Sequence, residues 1–270
     1  MRQTIHFAHG NGFPSPCYHQ LLNRLSERFN VCFIDRIGHS SDYPVTENWH
    51  KLVEELIHSV KSQSAEPVIA VGHSLGGVLS FRAAIEQPEL FQAVIMLDSP
   101  IIGRFKSRLL KLSKTLGMID HITPAFRTRG RRHFWKTKED AIKYLRSRDL
   151  FKHFTDACLE DYIEYGMTKN DNGYSLRFDK TIEYQIYRTI PHMLYKYEQR
   201  LTVPCALIHG KKSNVIDGLD LRNMKKNYNI YCYEIPGSHM FPMEHPELTA
   251  RFVFRAIEDL VRHPDSLQPG

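Results

Sequence analysis

Hydrophobic and polar positions divide the chain into stretches of different period. Over residues 1–100, short apolar runs of strand length alternate with segments whose apolar residues recur at helical spacing. Residues 3–8 form the first run and lead into the turn cluster His9-Gly10-Asn11-Gly12-Phe13-Pro14, after which Tyr18, Leu21, Leu22 and Leu25 predict a helix over 17–28. A second run at 31–34 ends at Asp35 and a polar loop, and Trp49, Leu52, Val53, Leu56, Ile57 and Val60 mark the next helix. A third run from Val68 closes on Gly72-His73-Ser74-Leu75-Gly76-Gly77, where helical spacing resumes at Val78, Leu79 and Phe81. A fourth, 93–97, closes on Asp98-Ser99-Pro100.

The alternation then stops for a hundred residues. Residues 101–200 read as amphipathic helices rich in aromatics and arginines, with a basic run at 127–132 and a helix pattern at 141–145. It resumes with strands at 204–210 and 230–235, the turn Pro236-Gly237-Ser238-His239, and a last helix from Pro246 carrying Leu248, Phe252, Val253, Ala256, Ile257 and Leu260. The tail from His263 reads as a frayed end. Alternating strands and helices imply an α/β fold, a mostly parallel sheet covered on both faces with its functional loops at the carboxyl ends of the strands. Residues 1–100 and 201–270 are then one core domain. Residues 101–200 are too long and too helical for a loop, and are expected to form a helical cap domain over Ser74.

Composition changes this picture in three ways. A hydrophobic content of 42% in 270 residues supports a sizeable core. No apolar stretch approaches the roughly 18 residues of a transmembrane helix, and no signal-peptide pattern opens the sequence, so the expected location is cytoplasmic. The five cysteines, Cys17, Cys32, Cys158, Cys205 and Cys232, are scattered and lack Cys-x-x-Cys spacing, which argues against a disulfide framework or a zinc site and leaves them as small core residues. The net charge of +6 is uneven: residues 101–200 hold 21 Lys/Arg against 12 Asp/Glu. Interspersed charges of this kind read first as a solvated helix face, with acidic substrates, anionic lipid or nucleic acid as the alternatives.

The chemistry centres on Gly72-His-Ser74-Leu-Gly76, a Gly-x-Ser-x-Gly turn in its expected strand-turn-helix setting. Such a turn lifts the serine hydroxyl above the strand ends, which makes Ser74 the candidate nucleophile. A free hydroxyl is a weak nucleophile near neutral pH and needs an imidazole to take its proton. No phosphate loop, dinucleotide fingerprint or clustered metal ligands appear, so no cofactor and no metal are implied.

The His-Gly loop after the first strand, Asp35-Arg-Ile-Gly38-His39-Ser after the second, the 72–76 turn, the 204–210 strand and Gly237-Ser238-His239 before the last helix together resemble the α/β-hydrolase family, in its subgroup with an inserted helical cap. The resemblance covers nearly the whole chain and implies a six-stranded sheet. It points to His239 as the base, with His245 as the fallback, and to the backbone N–H groups of Leu75 and Asn11 as the oxyanion hole, Gly12 leaving room for the substrate. In most of the family the acid follows the strand at 204–210, yet Gly210-Lys-Lys-Ser-Asn214 has no carboxylate. A minority carries it one strand earlier, where this chain has Asp98; Asp217 is the alternative. Asp35 resembles a loop-fixing position.

The reading implied is a cofactor-independent serine hydrolase, a carboxylesterase cleaving short to medium apolar acyl esters through an acyl-enzyme. Carbon-carbon or thioester hydrolysis with the same triad stands as an alternative, as does an inactive hydrolase scaffold used for binding. The expected partner is a small-molecule ester, with no nucleic acid, and the oligomeric state is left open.

Overall fold

The computed structural model describes residues 2–262, so the expected frayed tail from His263 lies outside the described residues. In chain order, β1 (Thr4–Ala8), α1 (His19–Ser26), β2 (Asn30–Phe33), α2 (His50–Gln63), β3 (Val68–His73), α3 (Leu75–Glu86) and β4 (Phe91–Leu97) form the first part. The inserted segment contributes α4 (Arg104–Thr115), α5 (Ile119–Ile122), α6 (Ala125–Arg129), β5 (Phe134–Trp135), α7 (Lys138–Arg146), α8 (Asp156–Gly166), β6 (Met167–Asn170), β7 (Gly173–Leu176) and α9 (Lys180–Arg188). The chain then returns through β8 (Cys205–Gly210), α10 (Gly218–Tyr228), β9 (Tyr231–Ile235), α11 (Phe241–Glu244) and α12 (Pro246–Ile257).

Six strands form one sheet in the order β2-β1-β3-β4-β8-β9, and every neighbouring pair is parallel. Both faces are covered, which is why its strands are apolar in succession rather than alternating with polar residues. Ile69 and Val71 of β3 and Ala93, Ile95 and Leu97 of β4 join α1, α8 and α12 on one face. Val68 and Ala70, with Val94 and Met96, join α2, α3 and α10 on the other. The period of two thus assigns each strand residue to one of two cores.

The order of strands places the site. The chain steps from β1 outward to β2 and then crosses back to β3 on the other side of β1, so the strand order reverses there and the loops leaving β1 and β3 lie side by side. Register confirms the adjacency, with Ala8 opposite Gly72 and His73 opposite Leu97.

The insertion, expected to be a helical cap, is not built of helices alone. Besides six helices it carries a three-stranded antiparallel sheet, β5-β7-β6. Asn170 pairs with Gly173 across a two-residue turn, Asp171-Asn172, and Gly173 takes φ 140°, a conformation that side chains rarely adopt. That Asn-Asp-Asn-Gly signal is a hairpin turn set in a stretch otherwise dominated by helical spacing. The insertion also shares its interior with the core: Phe151, Phe154 and Tyr162 pack on Phe13, which follows β1.

Candidate active site

Ser74 stands between β3 and α3 at φ 52° and ψ −113°, a strained backbone for a residue with a side chain, of the kind that costs on the order of 1–3 kcal/mol and persists only where the surroundings enforce it. Here they do. The Ser74 N–H donates to the Leu97 carbonyl (2.9 Å), its own carbonyl accepts from Val78 (3.3 Å), and Gly76 N–H donates to the His9 carbonyl (3.1 Å). At Gly76 a Cβ would sit 2.0 Å from the Ala8 carbonyl oxygen, so only glycine lets α3 start this close to β1. The Gly76–His9 bond joins the two segments read as the oxyanion hole. Leu75 is the first residue of α3, where an N–H has no acceptor within the helix, and Asn11 sits buried in the neighbouring loop.

At the next strand end Asp98 is fully buried at φ 45°. Its carboxylate accepts from Gly210 N–H (2.9 Å), from the Ser213 hydroxyl and from His239 Nδ1 (2.7 Å). Burial alone would push the Asp98 carboxyl up, but the hydrogen bonds, led by that of His239, outweigh it and hold the group below the usual carboxylate range. With Nδ1–H donating to Asp98, the His239 tautomer leaves Nε2 as the basic atom, and its side chain is about a quarter exposed (25%). Glu244 fixes the loop, accepting from the Ser238 N–H (2.9 Å) and hydroxyl (2.5 Å).

Asp217 goes elsewhere. It caps α10 by accepting from Leu219 and Asp220 N–H and pairs with Lys106 at 2.7 Å. His245 occupies the N-cap position of α12 without a side-chain capping bond, and Asp35 accepts from Arg177 (2.6 Å), tying the loop after β2 to the insertion. Among the described residues no hydrogen bond joins the Ser74 hydroxyl to His239. Catalytic hydrogen bonds are often long before substrate arrives, so this alone does not exclude the pairing.

Two features escape sequence reasoning. The first is His73. Its Nε2–H donates to the His239 carbonyl (3.0 Å), which fixes Nδ1 as the acceptor of the Tyr18 hydroxyl proton (2.7 Å), while the Tyr18 oxygen accepts from Gly10 N–H (3.2 Å). Burial lowers His73 to a pKa of about 3, so it stays neutral and this chain of bonds links the loop after β1 to the loop bearing His239. The residue next to a nucleophile candidate reads as local packing until its partner, 166 positions away, is seen.

The second is Arg131. Within the run at 127–132 it turns inward, reaching both oxygens of Glu183 (2.9 Å each) and the Tyr162 hydroxyl (2.6 Å). Burial pushes the Glu183 carboxyl up against the pull of Arg131. Glu183 also receives the Asn11 side chain on its backbone carbonyl (3.0 Å). Its carboxylate would stand only 2.8 Å from a Cβ on Gly12, so the space above Gly12, expected to be left for substrate, is taken by the insertion. No local pattern connects positions 131 and 183; the packing of α9 against α6 brings them together.

Among the described residues no group of three or more His, Cys, Asp or Glu is placed to hold a metal ion, and no helix is long and apolar enough to cross a membrane.

Comparison with known proteins agrees with this architecture. A family model described as the alpha/beta hydrolase family matches residues 7–252. An uncharacterized hydrolase, YugF, of Bacillus subtilis (strain 168) is 26% identical over 262 residues, covering 93% of this chain and 89% of that protein. Among solved structures, E-2-(acetamidomethylene)succinate hydrolase superposes with a TM-score of 0.76 at 22% identity, covering 95% of this chain and 91% of the other. A thioesterase domain from the curacin biosynthetic pathway gives 0.71 at 16% identity, covering 94% and 91%. At these identities the two structures speak for the fold alone.

Proposed function

Because the chain belongs to the alpha/beta hydrolase family, we propose that it is a serine hydrolase of the carboxylesterase type, with Ser74 as nucleophile, His239 as base and Asp98 as the acid that orients it. The observation that carries this reading is the 2.7 Å bond from His239 Nδ1 to a buried carboxylate one strand away from a serine on a strained turn. In the proposed reaction His239 Nε2 takes the hydroxyl proton as Ser74 Oγ attacks the ester carbonyl. Asp98, kept ionised, stabilises the imidazolium that forms. The oxyanion of the tetrahedral intermediate is held by the Leu75 and Asn11 N–H groups, and loss of one such donor typically costs about two to three orders of magnitude in rate. His239 then protonates the leaving alcohol, and water, deprotonated by the same imidazole, releases the acid from the acyl-enzyme.

Residues 101–200 act in this reading as the cap, 101–200 holding 15 of the chain's 30 aromatic residues. That aromatic content supports a short to medium apolar acyl ester as the substrate. Two assays test the reading. A fluorophosphonate probe is expected to label the wild type and not Ser74→Ala, and p-nitrophenyl esters of graded length are expected to peak at short to medium acyl chains. Labelling of neither protein removes the mechanism and leaves a binding role on the same scaffold. Faster turnover of long-chain triglyceride emulsions than of soluble esters removes the substrate class.

A further inference from the structure

The outer side of the insertion carries an apolar surface that the proposed chemistry does not use. On α4 the residues Phe105, Leu109, Leu112 and Leu116, spaced one helical turn or two apart, are 74%, 51%, 54% and 61% exposed. Met118, Ile122 and Phe126 continue the exposed surface through α5 and α6. A run of large apolar side chains this long on one face marks an interaction surface rather than scattered exposure. The opposite face of α4 is seated by Ser107 and Leu110, both buried. Three cations lock that seating: Lys106 to Asp217 and Asp220, Arg104 to Glu198, and Lys114 to Glu47 and the Ile190 carbonyl. The stripe is therefore held outward by its own helix and not merely left there by a loop.

Charge identifies the partner. From 99 to 138 the chain has eleven Lys/Arg and a single carboxylate, Asp120, and that one is occupied by the Tyr184 hydroxyl and Arg188. On α4 the exposed Arg108 and Lys111 run alongside the apolar stripe. Apolar side chains flanked by cations, the only exposed carboxylates against α4 among the described residues being Asp217 and Glu47, each already paired with one of its lysines, match the boundary between acyl chains and anionic headgroups. A second copy of this chain fits less well, because a two-fold contact through the stripe sets Arg108 and Lys111 against their own copies.

We propose that the outer face of α4 to α6 docks on the surface of an anionic phospholipid membrane, lying in the interface without crossing it. The proposal does not depend on the reading of Ser74.

Sedimentation with vesicles tests it, using phosphatidylcholine alone and phosphatidylcholine mixed with phosphatidylglycerol, with Ser74→Ala run beside the wild type. Both proteins are expected to pellet with the mixed vesicles, to pellet far less with the neutral ones, and to be released at high salt. Leu109→Ser with Leu112→Ser, and separately Arg108→Glu with Lys111→Glu, should each lower the bound fraction by about tenfold while the melting temperature stays that of the wild type. Absence of binding to either vesicle overturns the proposal, as does binding that both double variants retain. A wild type that is dimeric in solution and becomes monomeric in the Leu109/Leu112 variant also overturns it, in favour of a second copy as the occupant.

Discussion

A carboxylate contributes to a triad through what it fixes, and Asp98 fixes three donors at once. Gly210, Ser213 and His239 all point at it, so its own position is set by β8 and the loop after it as much as by β4. Asp98→Asn keeps the shape but presents an amide that cannot hold the Nδ1–H tautomer, and ester turnover is expected to fall by up to about four orders of magnitude. Asp217→Asn is expected to leave the rate near wild type and to cost at most about 1 kcal/mol of stability through the α10 cap. Rates of the two variants measured side by side decide the matter, and a large loss confined to Asp217→Asn would sink the assignment. Asp98 is legible in the sequence as the last polar residue of a buried strand; Ser213, which completes its environment, is not, because a loop serine carries no signal of its partner.

Among the elements, α9 does most to join the insertion to the site. Its N-terminal turn is capped by the Asp179 side chain, and Glu183, one turn further, meets Arg131 from a different helix connection. Breaking such a pair leaves an unpartnered buried charge. Arg131→Leu is expected to destabilise the protein by about 3–5 kcal/mol, while Arg131→Leu with Glu183→Leu should recover much of that loss, since two charges are removed together. Urea unfolding of the single and double variants measures this, and a double variant no more stable than Arg131→Leu would show that the charges do not act as a pair. The amphipathic pattern of residues 101–200 predicts helices in general, but neither the bounds of α9 nor that its inner turn ends up against the loop after β1.

Across the whole molecule, three buried histidines outweigh the opposing contribution of Glu55, whose carboxyl burial raises to about 7, and so set the response to acid. Burial lowers His6 and His9 to about 4 and His73 to about 3, from an ordinary 6.5. The unfolded chain therefore binds protons that the folded chain refuses as pH falls from about 6.5 toward 4, so stability is fully present above that window and is lost through it. For His6 alone the loss between pH 7 and pH 4 is on the order of 3 kcal/mol. The urea midpoint is expected to hold steady from pH 8 to 7 and to decline below 6.5. His6→Gln, which replaces a ring bonded to Ser59 of α2 and to none of the candidate catalytic residues, should flatten the decline without changing ester turnover. A midpoint that rises on acidification would contradict the burial of these rings in neutral form.

The alternation of strand and helix periods, the glycine-flanked turn at Ser74 and the late Gly237-Ser238-His239 were enough to place the parallel sheet, its six strands and the candidate residues at its carboxyl edge. These are local features: a period of two or 3.6, or a turn that only small residues permit, is written in neighbouring positions. What the tertiary structure decided is which distant groups meet. It set Asp98 rather than Asp217 against His239, ran a bonded path from Gly10 through Tyr18 and His73 to the His239 carbonyl, closed the space over Gly12 with Glu183, and turned Arg131 inward while leaving Phe105, Leu109 and Leu112 on the surface. The physical reason is that hydrogen bonds and ion pairs between elements depend on how helices cross the strand ends, and an amphipathic pattern states that a helix has an apolar face without stating what that face will meet.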